Sequence, residues 1–319
     1  MKPIGGYFEL ELKKGNACFH QTPYTFKSGR SSLYAILSTT KPSCVYIPFY
    51  ICGVVFESFA MAGVPYKFYS LDENLEPAHL PVLEQDEYVL YVDYFGVKTA
   101  CVEHLSERLG PRLLVDCTLS FFTVGNGKSW FFNSCRKFFG VPDGSFLYTP
   151  DGIETMVLQT PNEQYTCNHL VKRFNGHVRE GYVSFLENEV WCDGQAVAMS
   201  RLSEHLLSLI DYSEVAEKRR SNFLHLDSLL AGYNQLSLSL PDRAVPMYYP
   251  FLPDRPIDKT LLFRENIFIP TFWKDVLERD SAGYDFEKML TRNLLLLPVD
   301  HRYDCDDMNR MVDILKQLL

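Results

Sequence analysis

The chain has 319 residues, 46% of them hydrophobic and 22% charged, which fits a globular protein of one large domain or two ordinary ones. Its net charge of −9 and the lack of any Lys/Arg cluster argue against a nucleic-acid partner. Nine cysteines at irregular spacing, with no CxxC pair, argue against a disulfide framework and suggest free thiols in a reducing, cytoplasmic setting.

The first stretch, "MKPIGGYFELELKK", has no apolar core of the kind a secretion signal needs. In "FKSGRSSLYAIL", 26–37, a Ser-Gly-Arg-Ser loop opens a helix predicted over 31–38, with Ser28 or Ser31 as its cap. The run "VYIPFYICGVVFESFAMAGV", 45–64, carries one charge. Pro48, Gly53 and Glu57 suit a strand at 45–48 and a packed helix at 53–62 better than a membrane span, so no membrane partner is expected. Strands follow at 64–69, 87–94, 112–116, 129–133 and 145–148, with a helix at 102–109. The runs at 88–92 and 113–115 are almost continuously apolar, as in strands buried on both faces. The alternation predicts an α/β fold, a mostly parallel sheet covered by helices. Residues 150–195 give little pattern. From 199 onward the spacing is helical, with Gly232 ending a long helix, then a Pro-punctuated strand-and-loop region over 240–300 and a last helix near 306–318. This predicts a large domain over 1–210 and a smaller C-terminal α/β domain over 211–319.

Three features then occur in order. The helix start at Gly29, Arg30 and Ser31 offers backbone N–H groups and side-chain donors to a phosphate. Asp116, in "RLLVDCTLSFF", ends a buried strand, where ligand sites of parallel sheets lie. Lys137, in "NSCRKFFGVPDGSF", follows Ser134 by three residues and sits among aromatics before a turn. A lysine held in an apolar pocket has a lowered pKa and can form a Schiff base with a carbonyl. Each feature alone has an ordinary explanation: a helix cap, a loop-capping Asp, a surface Lys. Together they suit pyridoxal 5'-phosphate, which needs a phosphate cradle, a carboxylate for its pyridinium nitrogen and a lysine.

On these residues the chain resembles the DegT-type (DegT/DnrJ/StrS) sugar aminotransferases, fold type I pyridoxal-phosphate (PLP) enzymes with helices on both sheet faces. "SGRSSL" is similar to their phosphate loop, "VYIPFYIC" and "YVDYFGV" to two further segments, and "LLVDCTLSFF" to their Asp-bearing strand. "SCRKFFGVPDGSFL" and "LLLLPVDHRYDCDDM" resemble the lysine loop and the C-terminal signature of a divergent branch. The resemblance implies that Lys137 links to the cofactor and shuttles a proton, and that Asp116 pairs with the pyridinium nitrogen. It places Gly29, Arg30, Ser31 and Ser134 around the phosphate. It further implies amino transfer from glutamate or a similar donor to a keto group on a nucleotide sugar, in surface-polysaccharide or related biosynthesis. A homodimer is implied too, with Asn175 or Arg173 a candidate to reach the partner's phosphate site.

The chain departs from the pattern at four places. Leu119 stands where the family has Gln or His, Val115 where Glu is common, and Gly144-Ser145 where it has Gly-Gly. Cys52 replaces a ring-stacking aromatic, with Tyr50 or another aromatic as the candidate substitute. A dehydratase-like PLP enzyme and a non-catalytic relative therefore stay open as alternatives. "VGNGKS", 124–129, lacks the first glycine of a phosphate-binding loop and reads as a turn. "HRYDCDD", 301–307, reads as a helix start at Asp306 or Asp307 rather than a metal site. His169 and His177 are too far apart to share a helical turn.

Overall fold

The computed structural model describes residues 4–153, 156, 159–280 and 282–319; the first three residues of the N-terminal stretch lie outside it. A seven-stranded sheet forms the centre. Its strands are β1 (Tyr24–Phe26), β2 (Cys44–Pro48), β3 (Tyr66–Tyr69), β4 (Glu87–Val92), β5 (Leu113–Cys117), β6 (Trp130–Asn133) and β7 (Ser145–Tyr148). In space they run β1-β7-β6-β5-β4-β2-β3. Strands β3, β2, β4, β5 and β6 are parallel, while β7 and β1 close one side antiparallel. The apolar runs at 88–92 and 113–115 are thus the two middle strands, buried as expected.

Three helices occur in this part: α1 (Gly29–Thr40), α2 (Val55–Ala62) and α3 (Thr99–Leu109). Helices α2 and α3 make the crossovers from β2 to β3 and from β4 to β5. The run 45–64 is therefore β2, a turn and α2, and among the described residues no helix is long and apolar enough to cross a membrane. The strand predicted over 87–94 stops at Val92. The chain turns into a 3₁₀ segment, Tyr94–Gly96, with buried Phe95 at a left-handed φ of 57°.

The weakly patterned middle holds α4 (Asn168–Phe174) and α5 (Val178–Glu189), packed on each other; neither was predicted. Helices α6 (Arg201–Ser208) and α7 (Tyr212–Leu230) follow as expected. The Pro-punctuated region contains β8 (Tyr248–Phe251), α8 (Lys259–Arg264), α9 (Asp285–Asn293) and β9 (Leu295–Pro298), with β8 and β9 paired antiparallel. Helix α10 (Cys305–Lys316) ends the chain. Its cap is Asp304, two residues before Asp306 and three before Asp307, the expected starts. The Asp304 carboxylate takes the Asp306 and Asp307 amides, and Asp307 returns a bond to the Asp304 amide.

Two apolar cores result. The larger joins the sheet to α1–α3 and takes in Met247, Leu252, Trp273, Leu290 and Leu296 from the last third of the chain. The smaller gathers Phe223, Leu226, Phe251, Leu297, Met311 and Leu315 between α7, α10 and the β8–β9 pair. Each such side chain, fully buried, contributes roughly 1.5–3 kcal/mol. These last-third members of the larger core hold the C-terminal third against the sheet edge where the site forms. All nine cysteines are free.

Candidate active site

Helix α1 begins at the C-terminal edge of the sheet. Ser28 is its cap: its backbone is extended and its Oγ accepts the Ser31 amide at 3.1 Å. The first-turn amides of Gly29 and Arg30 have no partner inside the helix, and both residues line a cavity of about 500 Å³. Gly29 allows that closeness. A Cβ there would lie 3.0 Å from Thr118 Cγ2 and 3.2 Å from the Asn133 carbonyl, so α1 abuts the ends of β5 and β6.

Asp116, near the end of β5, lines the same cavity although only 4% exposed. Its Oδ1 accepts the Thr118 amide at 2.8 Å. Burial pushes its pKa up; the Lys137 charge and the Thr118 bonds pull it back down. Lys137 closes a 3₁₀ turn, Cys135–Lys137, just after β6. Two backbone bonds brace that turn: the Cys135 amide donates to Gly144 at 2.9 Å, and the Gly144 amide donates to Lys27 at 2.8 Å. Gly144 has φ +126°, a conformation that L side chains rarely adopt. Lys137 is exposed at the cavity wall rather than enclosed in an apolar pocket. Its Nζ donates to Thr118 Oγ1 at 3.3 Å and lies 6.0 Å from the Phe272 ring centre. The aromatics beside it in sequence, Phe138 and Phe139, turn into the core instead.

The structure thus brings Gly29, Arg30, Asp116, Ser134 and Lys137 to one cavity. Two predicted residues lie elsewhere. Ser31 is fully buried, its hydroxyl donating to the Asp193 carbonyl at 3.0 Å, and it is not part of the lining. Tyr50 is 1% exposed and packs edge-on against Trp273 at 4.5 Å; Cys52 lines the cavity in its neighbourhood, and the aromatic rings on the wall are Phe132, Tyr182, Phe185, Tyr248 and Phe272. Leu119 is a core residue with 0% exposure. Arg173 and Asn175 lie exposed at the end of α4, outside this cavity. Among the described residues no cluster of His, Cys, Asp and Glu could hold a metal. His169 is buried on α4 and His177 exposed ahead of α5.

Arg30 was expected at the phosphate, but its cationic neighbours Lys27 and Arg136 were not. Lys27 pairs with Asp193 at 2.5 Å, Arg30 with Glu57 at 2.8 Å, and Arg136 with Glu189 at 2.8 Å. The Arg136 side chain is only 8% exposed, and its Nε and Nη2 have no hydrogen-bond partner. Its place beside Lys137 was the available signal.

These residues fit a phosphate-bearing pyridine cofactor. A buried carboxylate faces the cavity at one place, a lysine at another, and a helix N-terminus with orphaned arginine N–H groups at a third. The volume lies in the range of small-molecule sites.

The whole structure is similar to solved sugar aminotransferases. DesV of S. venezuelae, in complex with a ketimine intermediate, superposes with a TM-score of 0.62 at 15% identity, covering 92% of this chain and 84% of that one. CalS13 of Micromonospora echinospora gives 0.60 at 14%, covering 92% and 86%. A candidate sugar aminotransferase of Streptococcus pneumoniae, in its PLP form, gives 0.65 at 12%, covering 94% and 89%. The chain has the sugar-aminotransferase fold. No family model and no curated protein sequence matches it. At these identities the sugar-aminotransferase likeness is one of fold, and the chemistry has to be read from the cavity itself.

Proposed function

We propose that the chain is a PLP-dependent aminotransferase acting on a keto sugar, with glutamate or a similar amino acid as donor. The carrying observation is that Asp116, buried at the end of a central parallel strand, faces the same cavity as Lys137 and the start of α1. Of the fold neighbours above, CalS13 is described as a sugar aminotransferase and the S. pneumoniae protein as a candidate one in its PLP form, which supports both the reaction and the cofactor.

Pyridoxal phosphate, when bound, supplies an electron sink for breaking and making bonds at an amino-bearing carbon. Asp116 would hold the proton of the ring nitrogen, since a carboxylate kept at low dielectric favours a cation beside it. Gly29, Arg30 and Ser134 would hold the phosphate, with Lys27 and Arg136 adding charge. Lys137 Nζ, exposed on a braced turn, would take a proton from the donor carbon and return it to the acceptor. Phe272 and Tyr248, from the C-terminal third, wall the cavity on another side.

Three further points belong to this reading. Residues 1–210 form a cofactor-binding domain and 211–319 a smaller one, supported by the second core around α7 and α10. The enzyme works as a homodimer, supported by exposed Phe174, Tyr182, Leu186 and Val190 on α4, α5 and just beyond. It is cytoplasmic, supported by nine free thiols. A coupled assay of glutamate with keto-sugar acceptors tests the reaction. Amino-sugar product supports it; cofactor bound without turnover on any acceptor overturns it.

A further inference from the structure

The cation cluster at the start of α1 is matched one for one by carboxylates. Lys27, Arg30 and Arg136 meet Asp193, Glu57 and Glu189. The cluster is therefore neutral as it stands. A phosphate dianion added to it would leave an excess of negative charge in a poorly solvated wall, which is costly. One carboxylate has to leave.

The three carboxylates are not held equally. Glu57 sits in the first turn of α2, where the helix dipole favours a negative charge, and its second oxygen accepts the Gly194 amide at 3.1 Å. Asp193 is held by its own turn. Its Oδ1 accepts the Gln195 amide at 2.9 Å, and its carbonyl takes the Ser28 and Ser31 hydroxyls at 2.9 and 3.0 Å. Glu189 is the last residue of α5, where the dipole opposes a carboxylate. Its side chain is 43% exposed and touches Arg136 at 2.8 Å and Arg30 at 3.6 Å. Arg30 also donates to the Glu189 backbone carbonyl at 3.0 Å, a bond that survives if the carboxylate swings away. Arg136 keeps two nitrogens, Nε and Nη2, without partners in a side chain more than nine-tenths buried, more donors than one carboxylate uses. A phosphate, with three acceptor oxygens, suits that guanidinium better.

We propose that Glu189 is a built-in, exchangeable anion: it occupies Arg136 and Arg30 until the phosphate of an incoming ligand replaces it, and so sets the affinity of the cavity for phosphorylated ligands. This rests on the reading of the cavity as a cofactor-phosphate site.

The test titrates inorganic phosphate into the full chain, by calorimetry, for the wild type, Glu189→Gln and Glu187→Gln. Glu187 is an exposed residue of the same helix, so its variant removes the same charge away from the cluster. Glu189→Gln is expected to bind phosphate about tenfold more tightly, since a competing charge has been removed. Glu187→Gln should stay within about twofold of the wild type, as expected for an exposed charge. Equal affinity in Glu189→Gln, the same gain in Glu187→Gln, or no phosphate binding by any of the three would overturn the proposal. Pyridoxal phosphate added to the same proteins separates this from the cofactor reading. A gain in phosphate affinity without any lysine-linked cofactor upholds the exchange and sinks the cofactor.

Discussion

The Asp93 amide donates to the Asp116 carbonyl at 3.0 Å, carrying the β4–β5 ladder one step past Val92. The two acids that this bond joins have different surroundings. Asp116 lines the cavity, whereas the Asp93 oxygens are taken by the Thr123 hydroxyl at 2.8 Å and the Lys98 amide at 3.1 Å. Asp93 is wholly buried, and burial pushes its pKa up from 3.8 to about 6.

That shift sets a pH dependence. The folded pKa lies above the unfolded one, so the folded state binds the extra proton between about pH 4 and 6. Stability from this residue is greatest below that window and falls as the pH rises through it. The ionised form costs about 3 kcal/mol at neutral pH. Asp93→Asn should therefore gain on the wild type by about 2–3 kcal/mol between pH 4 and pH 7 in denaturant unfolding. A difference that does not change with pH would show that Asp93 does not titrate in this way.

Asp116→Asn keeps the size of the side chain and the acceptor for the Thr118 amide but removes the charge. Cofactor binding should persist, and turnover should fall about 10²–10³-fold, the usual cost of losing one buried charge-assisted contact to a reacting system. Turnover within twofold of wild type in a coupled assay would remove Asp116 from its assigned role.

Gly144→Ala strains the brace under Lys137. The new Cβ would sit 3.0 Å from Cys135 Sγ and 3.1 Å from the Met199 methyl, at φ +126°. A loss of about 2 kcal/mol is expected. Gly152→Ala makes a useful comparison, since it shares a positive φ but has nothing within 4 Å, so only the conformational part of the cost applies. Equal losses in the two variants would mean that the contacts around Gly144 do not matter.

Much of this site was legible because local rules and tertiary packing agree there. Ser28 before an apolar-periodic run marks α1, and the unbroken apolar runs of β4 and β5 could only be buried strands. Helices α4 and α5 were not legible. Val178, Tyr182, Leu186 and Val190 are apolar yet exposed, so no polar face contrasts with a buried one. Helix α8 has six residues, too few for a period to show. Helix α9 did carry a signal, since Phe286, Met289 and Leu290 are spaced for one face, but neighbouring turns obscured it. Tyr50 is suggested only as an aromatic near Cys52, the position the resemblance singles out, and nothing local says that its ring packs on Trp273.

Arg219 links the C-terminal third to the lysine turn. It is 2% exposed, its guanidinium lies 4.6 Å from the ring centre of Phe138, and it donates to the Pro246 and Met247 carbonyls at 3.2 and 3.3 Å. Arg219→Ala unpairs those carbonyls and bares the ring next to Lys137, so a loss of about 2–4 kcal/mol is expected. A loss below about 0.5 kcal/mol, as for an ordinary surface position, would contradict that placement.

The central claim is that Lys137 carries pyridoxal phosphate. The direct measurement is the visible absorbance of the purified protein, with and without added cofactor, beside Lys137→Ala. The expected result is a yellow band in the wild type that borohydride bleaches and that Lys137→Ala does not form. A wild type that stays colourless with saturating cofactor, indistinguishable from Lys137→Ala, would contradict it: the fold would then be present without its chemistry.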